Sequence, residues 1–375
     1  MICYALPTRD RPEELRRTLD AIAALGDHRA VGGARVIVAD NDSRRPVDVP
    51  ESLASGVPVH VLRRDRNESA AARNACVAAT GPEVEWIVML DDDSHPLDAG
   101  HLLALREAPR DVAAVQAEIF LPDGSHERGG LPEVFIGCGV AIRREAYLAL
   151  GGYDARFDYY AEEYDLAARM IAGGWRVTMD RRFRVEHRKV ASNRRFGRVV
   201  RRLVRNNAWV QQRYAPESQR AAELRETLSR YARIALKERA LLGYARGLLD
   251  LAMTLRRQPR SPLPEPLYDR FTGLAAARAA LHAAHAARPL GRVALVAEGK
   301  NAWAVRAALA ELGLSASAHP DEADTLVIGT LSPGPMLDAL AELQHANPGR
   351  RVVTPWELPP AGAPAKSRPA LTLAA

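Results

Sequence analysis

The sequence reads as an α/β protein built on a parallel sheet with helices on both faces. Two observations carry that reading. Short apolar runs bounded by turn residues recur early in the chain, and between them lie stretches whose apolar residues repeat at a period near 3.6. Strands alternating with helices are the pattern of such a sheet. A third observation concerns its rim: polar and acidic residues follow three of the apolar runs, where open α/β sheets bind ligands.

The elements follow in order. Residues 2–6 (ICYAL), 35–39 (RVIVA), 58–62 (PVHVL) and 85–90 (EWIVML) are expected strands. The first helix places Leu15, Leu19, Ile22 and Ala23 on one face. Asp10, Pro12 and Glu13 read as its start, with Asp10 as N-cap. A second helix is expected over about 69–79. A helix from about Arg144 should end at Gly151-Gly152, and another begins near Glu162 with Leu166, Met170 and Ile171 inward. Helices continue to about Ala287, broken by the proline-rich 259–266. From about Arg292 a small Rossmann-like unit begins: RVALVAEG, a helix over 302–312, TLVIGT, a helix over 336–345, then RVVTP. Its turn AEGKNAW lacks the full G-x-G-x-x-G fingerprint, so no dinucleotide is expected, and contact with a partner or acceptor is the role read for it. The Pro/Ala-rich tail from Pro359 reads as disordered. The boundaries expected are therefore 1–216, 217–288, 289–358 and 359–375.

Composition narrows the class. At 375 residues, two or three domains are expected, and a 47% hydrophobic content is enough for a core. No apolar run is long enough to cross a bilayer, and the start lacks a basic leader and cleavage site; a cytoplasmic protein is the expectation. Cys3, Cys76 and Cys138 stand far apart, which argues against disulfides and a zinc site. The net charge is +6, and eleven Arg or Lys residues fall between Arg181 and Arg205. The stretch 188–205 alternates basic and apolar residues, a pattern that can lie on an anionic membrane, hold an anionic acceptor or diphosphate, or pack as a solvated helix. No nucleic-acid module or aromatic platform accompanies the arginines, so nucleic acid is not expected as a partner.

The candidate chemistry sits on the rim. Pro7-Thr8-Arg9-Asp10-Arg11 follows the first strand, Asp40-Asn41-Asp42-Ser43 the second and Asp91-Asp92-Asp93-Ser94 the fourth. Three carboxylates so close repel one another unless a cation or protons intervene, and Mg²⁺ or Mn²⁺ suits oxygen ligands. The alternative is a solvated turn with an aspartate capping the next helix. A second constellation spans 137–187, with Gly137, Gly139, Glu162, Glu163, Asp165 and His187.

In order along the chain, LPTRDRPEELRRTL, VIVADNDS, RNESAAARNACV, VMLDDDSHP, GCGVAIRREAYLALGGYD, AEEYDLAARM with GGW, and VEHR stand at spacings that resemble glycosyltransferase family 2 over residues 1 to about 216. The resemblance implies the GT-A fold, a Rossmann-like mixed sheet flanked by helices, here followed by a helical segment and the small α/β unit. It implies inverting transfer of a sugar from a nucleotide diphosphate sugar, UDP-linked as a rule, to an acceptor hydroxyl, with Mn²⁺ or Mg²⁺. Pro7, Thr8, Arg11, Asp42 and Arg73 would bind the donor nucleotide, with Gly137 allowing its close approach. Asp40 would bond the base. Asp91 and Asp92 would face the donor, and Asp93 and His187 the metal. Glu163 would be the base, with Asp165 its rival; the family more often carries Asp where Glu163 stands. The acceptor would be a glycan, a glycolipid or a small natural product. A nucleotidyltransferase on a related fold and a non-catalytic nucleotide-sugar binder are the competing readings. The first should carry a glycine-rich loop after strand one, which LPTRDRP is not.

Overall fold

The computed structural model describes residues 1–26, 28–190, 196–317 and 319–358. The tail read as disordered lies outside them, as does part of the basic stretch 188–205. The first half of the chain forms β1 (Ile2–Thr8), α1 (Pro12–Ala23), β2 (Ala34–Asp40), β3 (Val59–Arg63), α2 (Ala72–Ala78), β4 (Trp86–Met89), β5 (Ser94–Pro96), α3 (Gly100–Glu107), β6 (Val112–Phe120), β7 (Val140–Arg143), α4 (Arg144–Ala149), α5 (Glu162–Ala172) and β8 (Arg176–His187). They build one sheet of order β3-β2-β1-β4-β7-β6-β8-β5. β1 to β4 are parallel, as expected from their crossovers. Beyond them the sheet is mixed, as the family resemblance implies: β7 runs antiparallel to β4 and β6, and β5 to β8. No helix separates β6 from β7, and a returning connection without a crossover gives antiparallel neighbours.

Alternation along the strands divides the core in two. Ile2, Tyr4 and Leu6 face one side with Val36, Val38, Val88 and Leu90, against Leu15, Leu19 and Ile22 of α1 and Leu102 and Leu105 of α3. Cys3 and Ala5 face the other with Ile37, Ile87 and Met89, against Cys76 of α2, Tyr147 of α4 and Leu166 and Met170 of α5. With both faces covered, functional side chains are left to the strand ends. One expectation about α1 is corrected: Asp10 does not cap it. Asp10 sits at φ 55° and its carboxylate accepts the Arg44 amide at 2.8 Å, so it ties two rim loops together instead.

The second half is helical, α6 (Phe196–Tyr214), α7 (Glu217–Lys237), α8 (Leu241–Thr254), α9 (Glu265–Thr272) and α10 (Leu274–Ala287), and then a smaller unit, β9 (Val293–Val296), α11 (Ala302–Glu311), β10 (Ala316–Ser317), β11 (Thr325–Ile328), α12 (Pro333–Ala346) and β12 (Arg351–Val353). Its sheet is wholly parallel, in the order β10-β9-β11-β12. This unit packs on the long connection between β6 and β7. Ser332 bonds the Gly129 amide at 3.1 Å, and His126 meets Asp338 at 2.6 Å. No described helix is long and apolar enough to cross a membrane.

Candidate active site

At the carboxyl ends of β1 and β4 opens a cavity of about 640 Å³. It gathers Pro7, Thr8, Arg11, Arg73, Asp91, Asp92, Asp93, Gly137, Glu163 and His187, ten of the residues singled out from the sequence. The three aspartates do not act as one cluster. Asp91 is the most exposed and pairs with Arg73, whose guanidinium also donates to the Leu90 carbonyl at 3.0 Å. Arg73 is buried, not a surface helix residue. Asp92 is buried between Thr8 Oγ1 at 2.8 Å and Arg11 Nη1 at 2.6 Å. Burial dominates there and pushes its pKa up to about 7 in spite of Arg11. Asp93 accepts from Arg11 at 2.7 Å and from the Val190 amide at 3.1 Å. Burial raises its pKa, but His187 and Arg11 outweigh that and hold it well below the usual carboxylate range.

His187, the last residue of β8, brings its Nε2 to 3.5 Å from Asp93. Its Nδ1 meets Glu127 Oε2 at 2.8 Å, and Lys189 holds the other Glu127 oxygen at 2.8 Å. A carboxylate behind a histidine fixes the ring, as it does for metal-binding histidines, and here it turns the far nitrogen toward Asp93. Burial opposes a charge on His187, but Cys138, Asp93 and Glu127 outweigh it and push its pKa up to about 12. Burial likewise raises the Glu127 pKa, but His187 and Lys189 bring it down to about 2. Ligand atoms of Asp91, Cys138 and His187 lie within 4.8 Å of one another. Of these, the Asp91 oxygen and the His187 nitrogen suit a hard divalent ion and the thiol is the poorest member, while Asp93 stands beside the group, 3.5 Å from His187. Spacing gave no sign of either Cys138 or Glu127, because both come from the irregular connection before β7.

Across the cavity, Glu162 and Glu163 begin α5. Burial raises the pKa of both, that of Glu162 further because Glu163 stands beside it. Glu162 Oε2 is buried without a hydrogen-bond partner among the described residues. Gly137 passes so near Glu163 that an added Cβ would lie 3.1 Å from Oε1. Asp165, read as the rival base, is turned away. Two residues on a helix are about half a turn apart, and its carboxylate is fully buried against Arg213 at 2.7 Å, Arg169 at 2.7 Å and the Tyr214 hydroxyl at 2.6 Å. Two rim residues also stand apart. Asp40 is wholly buried and spends its carboxylate on Arg63 at 2.5 Å and on the amides of Ser43 and Val47 at 3.0 and 3.1 Å. It braces the loop after β2, and Asn41 lines the cavity instead. Asp42 lies outside, 3.4 Å from Arg9.

The glycosyl transferase family 2 model matches residues 3–132. Residues 3–132 form a family 2 glycosyl transferase domain. The family 2 domain is continued by a match to glycosyl transferase family 21 over residues 131–250, so the resemblance read to about residue 216 divides between two related models. O-antigen biosynthesis protein RfbC of Myxococcus xanthus is 26% identical over 232 residues, 52% of this chain and 18% of that protein. The pre-mycofactocin glycosyltransferase of Mycobacterium tuberculosis is 26% identical over 200 residues, 47% of this chain and 40% of its own. The chain thus spans less than half the length of the curated relatives it matches. Among solved structures, S. aureus TarS 1-349 in complex with UDP-GlcNAc aligns with a TM-score of 0.49 at 12% identity, covering 76% of this chain and 87% of that one.

Proposed function

We propose that this chain transfers a sugar from a nucleotide diphosphate sugar to an acceptor hydroxyl by a single inverting displacement. One observation carries the reading: the candidate cation ligands Asp91 and His187, with Asp93 beside them, and the raised-pKa carboxyl of Glu163 line the same cavity, to which a family 2 domain contributes. A Mn²⁺ or Mg²⁺ ion there, held by Asp93 and His187, would neutralise charge growing on the leaving diphosphate. Thr8 and Arg11 fix Asp92 and Asp93, so the acidic rim is preorganised and needs little rearrangement to receive the donor. Glu163 takes the proton of the attacking hydroxyl. A carboxylate of ordinary pKa is a feeble base at neutral pH, and burial strengthens this one. Attack from the Glu163 side, opposite the diphosphate, inverts the anomeric carbon. With Asp40 committed to Arg63, recognition of the base falls to other groups around the first two strand ends.

The test is a screen of nucleotide sugars, UDP-linked ones first, for Mn²⁺-dependent binding and hydrolysis. Glu163→Gln should keep donor binding and lower turnover by about 10² to 10⁴-fold, whereas Asp93→Ala should lose the metal-dependent part of donor binding. A Glu163→Gln protein with full turnover, or a wild type indifferent to every donor and to Mn²⁺, defeats the proposal.

A further inference from the structure

The small parallel unit reaches the cavity through its own ligand-binding edge. In the order β10-β9-β11-β12 the chain leaves β9 to one side and returns to the other at β11. That makes the gap between the loops after β9 and β11 a topological switch point, where open parallel sheets take ligands. Both loops are turned onto the rest of the chain. The second bonds Gly129 through Ser332, and its Leu331 amide bonds the Lys300 carbonyl at 3.0 Å. The first is anchored by Asn301, at φ 55°, whose side chain donates to the Thr272 carbonyl at 2.8 Å. Gly299 permits the two loops to touch: an added Cβ would sit 2.8 Å from Thr330 Oγ1.

The result is that Lys300 enters the cavity lining. Its ammonium stands 4.6 Å from the centre of the Tyr164 ring and hydrogen-bonds the Tyr164 hydroxyl. Tyr164 is the neighbour of Glu163. No carboxylate pairs with Lys300 among the described ion pairs. Arg128, Arg198 and Arg230 line the same cavity and likewise make no described ion pair, and Arg230 Nε is buried without a partner among the described residues. The other cavity arginines and lysine are matched: Arg9 with Asp42, Arg11 with Asp92 and Asp93, Arg73 with Asp91, Arg202 with Asp158, Lys189 with Glu127. A wall of cations left over after internal pairing is complementary to an anion.

We infer that Lys300, delivered by the C-terminal unit, joins Arg128, Arg198 and Arg230 in an acceptor subsite for an anionic group, a carboxylate or a phosphate, beside Glu163. The inference rests on the transferase reading only for the word acceptor; the subsite is defined by its charge. Burial also brings the Lys300 pKa down to about 8, with Glu163 opposing, as for an ammonium awaiting a counter-charge.

Calorimetry on the full chain, saturated with Mn²⁺ and UDP, tests it with three probes: methyl β-glucuronide, glucose 6-phosphate and the neutral methyl β-glucoside. Saturating UDP fills the donor diphosphate site, and the two anions separate carboxylate from phosphate recognition. At least one anion should bind about tenfold tighter than the neutral glycoside, the equivalent of about 1.4 kcal/mol. Lys300→Met and Arg230→Gln should each cut that preference several-fold, Lys300→Arg should keep most of it, and UDP uptake should be unchanged in Lys300→Met. Equal binding of charged and neutral probes overturns the inference. So does a Lys300→Met protein that keeps the preference, or one that loses UDP uptake in parallel, since then Lys300 serves the fold or the donor. A wild type that ignores UDP but discriminates by charge would sink the transferase reading and leave the subsite standing.

Discussion

Two residues hold roles that only their surroundings define. Glu127 orients His187 from behind, as a carboxylate does for many metal-binding histidines. Glu127→Gln should weaken Mn²⁺ binding by about 10 to 100-fold with the fold intact, measured by calorimetry; undiminished Mn²⁺ affinity would detach Glu127 from the metal set. His101 is fully buried between the Tyr4 hydroxyl at 2.7 Å and the Asp98 carbonyl at 3.0 Å. Burial above all brings its pKa down to about 3. A histidine lowered on folding stabilises the native state above its unfolded pKa near 6.5 and loses that contribution as pH falls toward the folded value. From pH 6.5 to 5 the loss amounts to about 2 kcal/mol. Urea unfolding at pH 7 and 5 should show that acid penalty in the wild type and a smaller one in His101→Gln; equal penalties in both proteins would acquit His101.

At the scale of elements, α6 and α8 touch through glycine. A Cβ added at Gly243 would lie 2.2 Å from the Gly197 carbonyl oxygen, and one at Gly247 would lie 2.8 Å from that of Arg201. Two opposed effects meet at Gly243. Alanine gains up to about 1 kcal/mol of helix propensity, but a backbone oxygen cannot rotate aside as a side chain can. Overpacking costs about 1 to 3 kcal/mol, so Gly243→Ala should destabilise on balance, seen as a lower Tm; a rise in Tm would show that the helices part freely. The same scale explains what was legible. Segments with clean periodicity, such as Leu15, Leu19 and Ile22 of α1 and the two runs that became β9 and β11, appear where expected because their pattern is local. The Asp10 cap was not legible, since the choice between capping a helix and holding the Arg44 amide depends on a loop over thirty residues away.

For the whole molecule, the decisive contact is between the β6–β7 connection and the C-terminal unit. His126 bridges Glu118 at 3.1 Å and Asp338 at 2.6 Å. Burial lowers its pKa, but these two carboxylates outweigh it and hold it above the ordinary value. Such a histidine stabilises fully below its unfolded pKa, and the contribution fades as pH rises through the folded one. Arg181, which also pairs with Glu118 at 3.1 Å, holds the acidic side of the joint in place. Amide exchange in α12 should therefore quicken between pH 6 and 9, after correction for intrinsic rates, and Asp338→Asn should flatten that dependence. Exchange that is slow and level across the range in both proteins would place the joint's strength elsewhere.

From its own letters the chain determined the α/β class, the strands and helices that carry the rim, and the residue types gathered there: Thr8, Arg11, the three aspartates, Glu163 and His187. These follow from local patterning, and strand ends in such sheets have a fixed address. Tertiary structure alone decided how those groups are shared out. It turned Asp165 and Asp40 to structural pairs with arginines, set Glu127 behind His187, ran β7 against its neighbours and carried Lys300 into the cavity from far along the chain. The physical reason is that a charged side chain answers to whichever partner the folded chain brings within hydrogen-bond reach. For Lys300 and Tyr164 that partner lies 136 residues away, beyond any periodicity.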